Sequence, residues 1–168
     1  MLFLGTAIFS VGCDHATKEL ARDTLSGLGR VALAHDFVRL ELATNSGGFL
    51  SLGAQLPPAV RHLFFVLLVP LLLIVACIAL LKAGSLRRIQ IVGLGLFAGG
   101  GAANWVDRLF HAGAVTDFVS MGIGPLRTGV FNAADVAIMV GAGLFAFAGW
   151  HLGNPDDQDA PPVTAARG

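Results

Sequence analysis

Residues 59–81 read AVRHLFFVLLVPLLLIVACIALL and follow a Pro57-Pro58 pair. A helix rises about 1.5 Å per residue and a bilayer's hydrocarbon core is about 30 Å thick, so roughly 20 apolar residues span it. This run meets that length, and a proline suits the first turn of a helix. Two further segments, 89–106 and 131–152, approach or reach it. The first segment offers thirteen residues, Met1 to Cys13, before Asp14. It spans only if its helix runs on through Thr17 and Lys18 to Leu20, over 1–20. Composition agrees, with 55% of residues hydrophobic and 13% charged, against about 25% charged in a soluble domain; the mean hydropathy is +0.74. The expected fold is all-α and membrane-embedded: four transmembrane helices in one domain, 1–152, with a small β-sheet and loops on the outer face. A formal net charge of zero gives no electrostatic case for nucleic acid as a partner.

Orientation follows from the connection 82–88, where Lys82, Arg87 and Arg88 stand without an acid, because basic loops stay cytoplasmic. Both termini then lie in the cytoplasm, and loops 21–58 and 107–130 lie outside. The tail 153–168, with Asp156, Asp157, Asp159 and Pro161-Pro162, reads as disordered and cytoplasmic. This topology gathers Asp14, Lys18, Asn104, Asp107, Arg108, Asp117, Asn132 and Asp135 near the outer surface. Spacings of three and four put Asp14 with Lys18, Asn104 with Asp107 and Arg108, and Asn132 with Asp135 on shared helix faces. Ionisable groups at membrane depth are costly, so they mark function by default. In the outer loops, Val38-Arg39-Leu40-Glu41-Leu42 alternates like a half-buried strand, and 114–119 is a weaker second one. Between the first strand and the second helix, Asn45-Ser46-Gly47-Gly48 is turn chemistry.

Two carboxyls held close together share one proton over a useful pH range. One can then act as base on a water while its protonated partner polarises a scissile carbonyl, as in aspartic proteases, with no metal, serine or cysteine. Asp135, a turn inside a membrane segment, is one member; on physical grounds its partner is Asp107 or Asp117. Structural roles compete with each assignment. Asp14 with Lys18 reads as an intrahelical ion pair, and Asp107 with Arg108 as an interfacial pair closing the third helix. Asp117 by itself reads as a loop aspartate, and Asn132 as a helix cap.

Five strings, DHATK at 14–18, NSGG at 45–48, GGGAANWVDR at 99–108, VTDF at 115–118 and FNAAD at 131–135, occur in the order of one known family. The chain resembles the lipoprotein signal peptidases, or signal peptidase II, over nearly its whole length. The resemblance implies a membrane aspartic endopeptidase of the bacterial cytoplasmic (inner) membrane, with its site near the periplasmic surface and no cofactor. Its implied substrates are diacylglyceryl-modified prolipoproteins, cut before the lipid-bearing cysteine. By the same matching the catalytic pair falls on Asp117 and Asp135. Asp14, Lys18, Asn45, Gly47, Asn104, Arg108, Asn132 and Ala134 fall on positions that shape the site or bind substrate, with Asp107 a supporting carboxylate. Asn104 and Asn132 can hydrogen-bond the pair, and Arg108 can pair with Asp107 or a polar substrate group. The sequence departs from the family in the basic leader usual before the first helix, which places the true start upstream, in Phe49 and Leu50 after the turn, and in Ala103 before Asn104.

The remaining features carry less. Only His111 with Asp107 has the helical spacing of a metal pair, and no third ligand follows, so no metal is expected. Cys13 and Cys77 lie at different depths, which argues against a disulfide. Trp105 and Trp150 fit interfacial anchoring, and Gly93, Gly95, Gly99, Gly100 and Gly101 fit close helix packing. Ser10-Val11-Gly12-Cys13 imitates a lipobox, but cleavage there would delete most of the first helix. The rival from another class is a small proton-coupled membrane carrier using the intramembrane acids, which predicts an internal repeat that is not evident. A non-catalytic assembly factor is a third reading. Besides substrate and membrane lipid no partner is implied, and the chain reads as a monomer.

Overall fold

Helix α3 (Arg88–Phe110) is the axis on which the other helices pack, because glycines open it on three sides. The computed structural model describes residues 1–48, 51–82 and 86–151. Along the chain, α1 (Leu2–Leu25) leads to strands β1 (Arg30–Leu33) and β2 (Val38–Asn45), then to α2 (Pro58–Lys82) and α3. Strands β3 (Val115–Ile123) and β4 (Leu126–Arg127) precede α4 (Ala133–His151). The expected tail 153–168, together with Phe49 and Leu50, lies outside the described residues.

A Cβ on Gly93 would lie 2.7 Å from the Gly141 carbonyl oxygen, and one on Gly141 would lie 2.5 Å from that of Gly93. The backbones of α3 and α4 therefore touch. On another side, Gly95 and Gly99 admit Thr6 and Ala7 of α1, and on a third Gly101 admits Leu73 of α2. Small residues of this kind let membrane helices approach closely and gain dispersion energy where no hydrophobic effect drives them together. The glycine-packing expectation is met in detail. Helices α1, α3 and α4 form the tight group, and among the helices α2 leans chiefly on α3.

Among the described residues three helices, α2, α3 and α4, are long and apolar enough to cross a membrane. The expectation of four is met for these three. Helix α1 does continue through Asp14 and Lys18, over 24 residues, yet Asp14, Lys18, Glu19, Arg22 and Asp23 make its second half too polar to qualify on composition. The cause is visible: Asp14 and Lys18 face α3 and α4 and are buried.

Helix α2 is not regular. Residues Leu63–Leu68 form a π-helical turn just before Pro70. Proline has no N–H to offer the carbonyl four residues earlier and its ring crowds that carbonyl, which here belongs to Val66. The Trp105 indole N–H donates to the Val66 oxygen at 2.9 Å, satisfying a group that apolar surroundings would leave costly. Trp105 is thus a helix-to-helix tie rather than the interfacial anchor expected of it. Trp150 is 87% exposed.

The four strands form one antiparallel sheet in the order β1-β2-β3-β4. Both expected strands are present and longer than their alternation suggested. In the β2–β3 ladder Ala43 opposes Asp117 and Asn45 opposes Val115, beyond an irregularity between Leu40 and Ala43. Alternation then sets Asn45 and Asp117 on the same face, the one that meets the helices.

Gly141→Ala should cost about 1–3 kcal/mol by forcing α4 off α3. Gly149→Ala, whose Cβ would meet nothing within 4 Å, should leave the thermal midpoint in detergent unchanged. Equal midpoints for the two variants would refute glycine-mediated contact.

Candidate active site

At the N-terminus of α4, Asn132 and Asp135 cap one another. The Asp135 N–H donates to Asn132 Oδ1 at 3.0 Å, and the Asn132 N–H donates to Asp135 Oδ2 at 3.2 Å. This reciprocal capping satisfies two of the donors a helix start leaves open. The same two side chains reach further. Asn132 Nδ2 donates to Asp117 Oδ1 at 2.6 Å and to Asn104 Oδ1 at 3.0 Å, and Asn104 Nδ2 donates to Asp135 Oδ1 at 2.9 Å. One pair of amides therefore joins Asp117 on β3 to Asp135 on α4. The second Asp117 oxygen accepts from Asn45 Nδ2 at 2.9 Å, a diagonal contact across the β2–β3 ladder.

Asn45 also orders its own turn. Its Oδ1 accepts from the Gly47 N–H at 2.9 Å, an Asx turn, and its Nδ2 donates to the Gly48 carbonyl at 3.0 Å. A Cβ on Gly47 would sit 2.5 Å from the Leu52 carbonyl oxygen, so only glycine fits. Arg108 holds the turn from α3 by donating to the Gly47 carbonyl at 2.6 Å and to its own Asn104 carbonyl at 3.0 Å. Its guanidinium carbon lies 5.6 Å from the centre of the Phe65 ring.

Lys18 is 1% exposed and has three polar neighbours, two of them hydrogen-bond acceptors and the third an ion-pair partner. It lies 2.5 Å from Asp14 Oδ2, 2.9 Å from Asp107 Oδ2 and 3.4 Å from Asn104 Oδ1. Asp14 turns its other oxygen to the N–H of Ala134, at 2.9 Å. Asp107 also accepts from the Thr116 N–H at 3.3 Å. The Asp107–Arg108 pair expected from sequence is replaced: Lys18 takes Asp107, because α1 crosses α3 at that level, and Arg108 turns to the Gly47 carbonyl. The Asp14–Lys18 pair forms as expected.

Asp117, Asp135, Asn45, Asn104, Asn132 and Arg108 line one cavity of about 370 Å³, closed by Phe65, Val69, Pro70 and Leu73 of α2 and by Ile138, Met139 and Ala142 of α4. Asp107 lies behind it, against Lys18, and does not line it. The apolar half of the cavity was not visible in sequence, since nothing separates Phe65 or Leu73 from any other apolar residue of α2. His111 Nδ1 is 3.0 Å from its helix's Asp107 carbonyl, and among the described residues no three His, Cys, Asp or Glu side chains gather in metal-ligand geometry. Cys13 and Cys77 are free.

Burial pushes the Asp117 carboxyl up from 3.8 to about 6, with the Asn45 and Asn132 donors opposing the rise and the neighbouring Asp135 adding to it.

A family model described as signal peptidase (SPase) II matches residues 6–151. The chain belongs to the signal peptidase II family. Lipoprotein signal peptidases similar to it include that of Treponema denticola, 37% identical over 147 residues covering 84% of each chain. That of Desulforapulum autotrophicum is 31% identical over 137 residues, 82% of this chain and 84% of that protein. A solved bacterial membrane enzyme superposes with a TM-score of 0.70 at 20% identity, covering 87% of this chain and 85% of the other, which bears on the fold alone. The signal peptidase II match takes in all five strings, four of which line the cavity while the fifth, 14–18, carries the Asp14 and Lys18 that support it.

The folded protein binds the Asp117 proton more tightly than the unfolded chain. The stability this adds is full below about pH 3.8 and is lost as pH rises through about 6. Asp117→Asn lacks the term, so the variant's Tm relative to wild type should climb between pH 4 and pH 7; a flat difference would count against the raised carboxyl. Lys18→Met strands two buried carboxylates and should cost about 3–5 kcal/mol, read by the same melting experiment.

Proposed function

We propose that the chain is a membrane aspartic endopeptidase that removes signal peptides from diacylglyceryl-modified prolipoproteins, cutting immediately before the lipid-bearing cysteine. The observation that carries the reading is that Asp117 and Asp135, from a strand and a helix, line one cavity and are linked through Asn104 and Asn132. Family membership supplies the reaction class and sets the carrier reading aside.

In the proposed mechanism the pair holds one proton. The ionised carboxyl takes a proton from water, whose oxygen attacks the scissile carbonyl carbon, while the protonated partner gives its proton to the carbonyl oxygen. A proton then returns to the amine of the new N-terminal cysteine as the C–N bond breaks. Asn45, Asn104 and Asn132 hold the two carboxyls in place. Arg108 fixes the Gly47 turn above them, and Asp14, Lys18, Asp107 and Ala134 fix α4 and β3. None of these steps calls on a cofactor. Substrate enters laterally between α2 and α4, where the cavity wall is apolar and the two helices are not packed together.

With α1 as a fourth span, residues 1–152 form one peptidase domain of the bacterial inner membrane. The Lys82–Arg88 connection, both termini and the tail 153–168 then lie on the cytoplasmic side, and the sheet on the periplasmic side. Within this reading the chain acts as a monomer, with prolipoprotein and lipid as its partners.

The test is a gel-shift cleavage assay on a diacylglyceryl-modified prolipoprotein. Purified wild type should cut with or without chelator, and folded Asp117→Asn and Asp135→Asn should each lose about 10²–10⁴-fold in rate. Activity retained by Asp117→Asn but lost in Asp107→Asn would move the pair to Asp107 and Asp135. Asn45→Ala removes a donor that favours the ionised pair, so its rate profile should shift to higher pH; a profile unmoved from wild type would deny Asn45 that role.

A further inference from the structure

A second cavity lies on the other side of α2. It is a furrow of about 610 Å³ between α1 and α2, two helices that do not pack together, and its floor is α3. Phe3, Ile8 and Val11 form one bank, Ile74, Cys77, Ile78 and Leu81 the other, and the floor is Ala98, Gly99, Gly101 and Ala102. The lining is almost wholly apolar. Along α2 it runs from Pro70 to Leu81, about 16 Å at the helical rise, close to half of a hydrocarbon core about 30 Å thick. Its lower end lies beside Lys82, the exposed last residue of α2, and on the same side of the membrane as exposed Arg88. No salt bridge engages Lys82 or Arg88 among the described residues.

We propose that this furrow and the basic residues at its foot form a binding site for an anionic phospholipid of the leaflet on the Lys82–Arg88 side. One acyl chain lies in the furrow and the headgroup phosphate meets Lys82 and Arg88. The length of the furrow is that of one leaflet's chain, and its lack of polar lining excludes a headgroup from it. The charge at its foot is the complement of a phosphate. The occupant also has a mechanical effect. Among the helices α2 leans chiefly on α3, so a chain wedged between α1 and α2 adds to the packing of the helix that carries Phe65, Val69, Pro70 and Leu73 to the other cavity. This site is independent of the proposed peptidase reaction.

The experiment is thermal melting of the purified, delipidated full chain with added dioleoylphosphatidylglycerol or dioleoylphosphatidylcholine. The anionic lipid at about ten times its Kd should raise Tm by about 3–6 °C, and the zwitterionic lipid by clearly less. The Lys82→Ala/Arg88→Ala variant should lose the difference between the lipids. Ala102→Leu, which fills the floor, should lose the response to both. Equal responses of wild type to the two lipids, or a preference that survives in the charge variant, would overturn the proposal. Should Ala102→Leu fail to fold, the charge variant decides.

Discussion

The buried ammonium of Lys18 organises this protein. It donates to Asp14 of its own helix and to Asn104 of α3, and pairs as an ion with Asp107 of α3. Through Asp14 it reaches the backbone N–H of Ala134 at the head of α4, and through Asp107 that of Thr116 on β3. A lone charge at this depth would be intolerable; paired with two carboxylates and an amide, it fixes four elements at one level. Van der Waals contact between glycine-rich backbones brings α1, α3 and α4 together along their length, but such contacts carry little information about axial slide. The polar cluster supplies that information, because hydrogen bonds of about 3 Å admit only one register.

The site inherits its geometry from that register. Asp135 sits where the cap of α4 sets it, and Asp117 where the β2–β3 ladder sets it, and the two amides of Asn104 and Asn132 measure the gap between them. Asn45 adds a third amide from the neighbouring strand. The carboxyls are thus oriented by neutral donors rather than by direct ion pairs. Cations on them would hold both ionised, whereas amides position a carboxyl and still allow it to keep a proton. Among the described residues the two buried cations, Lys18 and Arg108, are spent on supporting groups: Lys18 on Asp14 and Asp107, Arg108 on two backbone carbonyls.

Much of this was legible in the sequence, for identifiable reasons. The apolar runs gave α2, α3 and α4, because length against bilayer thickness is a strong constraint. Spacings of three and four gave the shared faces of Asp14 with Lys18 and of Asn132 with Asp135. Strand alternation gave parts of β2 and β3 but missed β1 and β4, whose Arg30–Leu33 and Leu126–Arg127 are too short to show a period. Physical reasoning left Asp107 and Asp117 as equals, since choosing between them depends on α1 delivering Lys18 to Asp107, a contact between residues 89 positions apart. The role of Trp105 was misread for a similar reason. An indole near a helix end looks like a membrane anchor until the carbonyl left open by Pro70 is seen facing it.

The π-helical turn at Leu63–Leu68 sets the phase of everything above it in α2. Such a turn amounts to one residue inserted into an α-helix, and one residue corresponds to about 100° of rotation. Were the helix regular from Pro58 to Lys82, the residues before the turn would face about a quarter-circle away from where they do, and Phe65 would not lie over the Arg108 guanidinium. The angular address of that ring is therefore encoded by a single-residue count rather than by the identity of any neighbour. A deletion of one residue between His62 and Val69 would turn the segment into a regular α-helix with both ends in their present phase, whereas regularising it at the same residue count would turn the upper part of the helix away from the cavity.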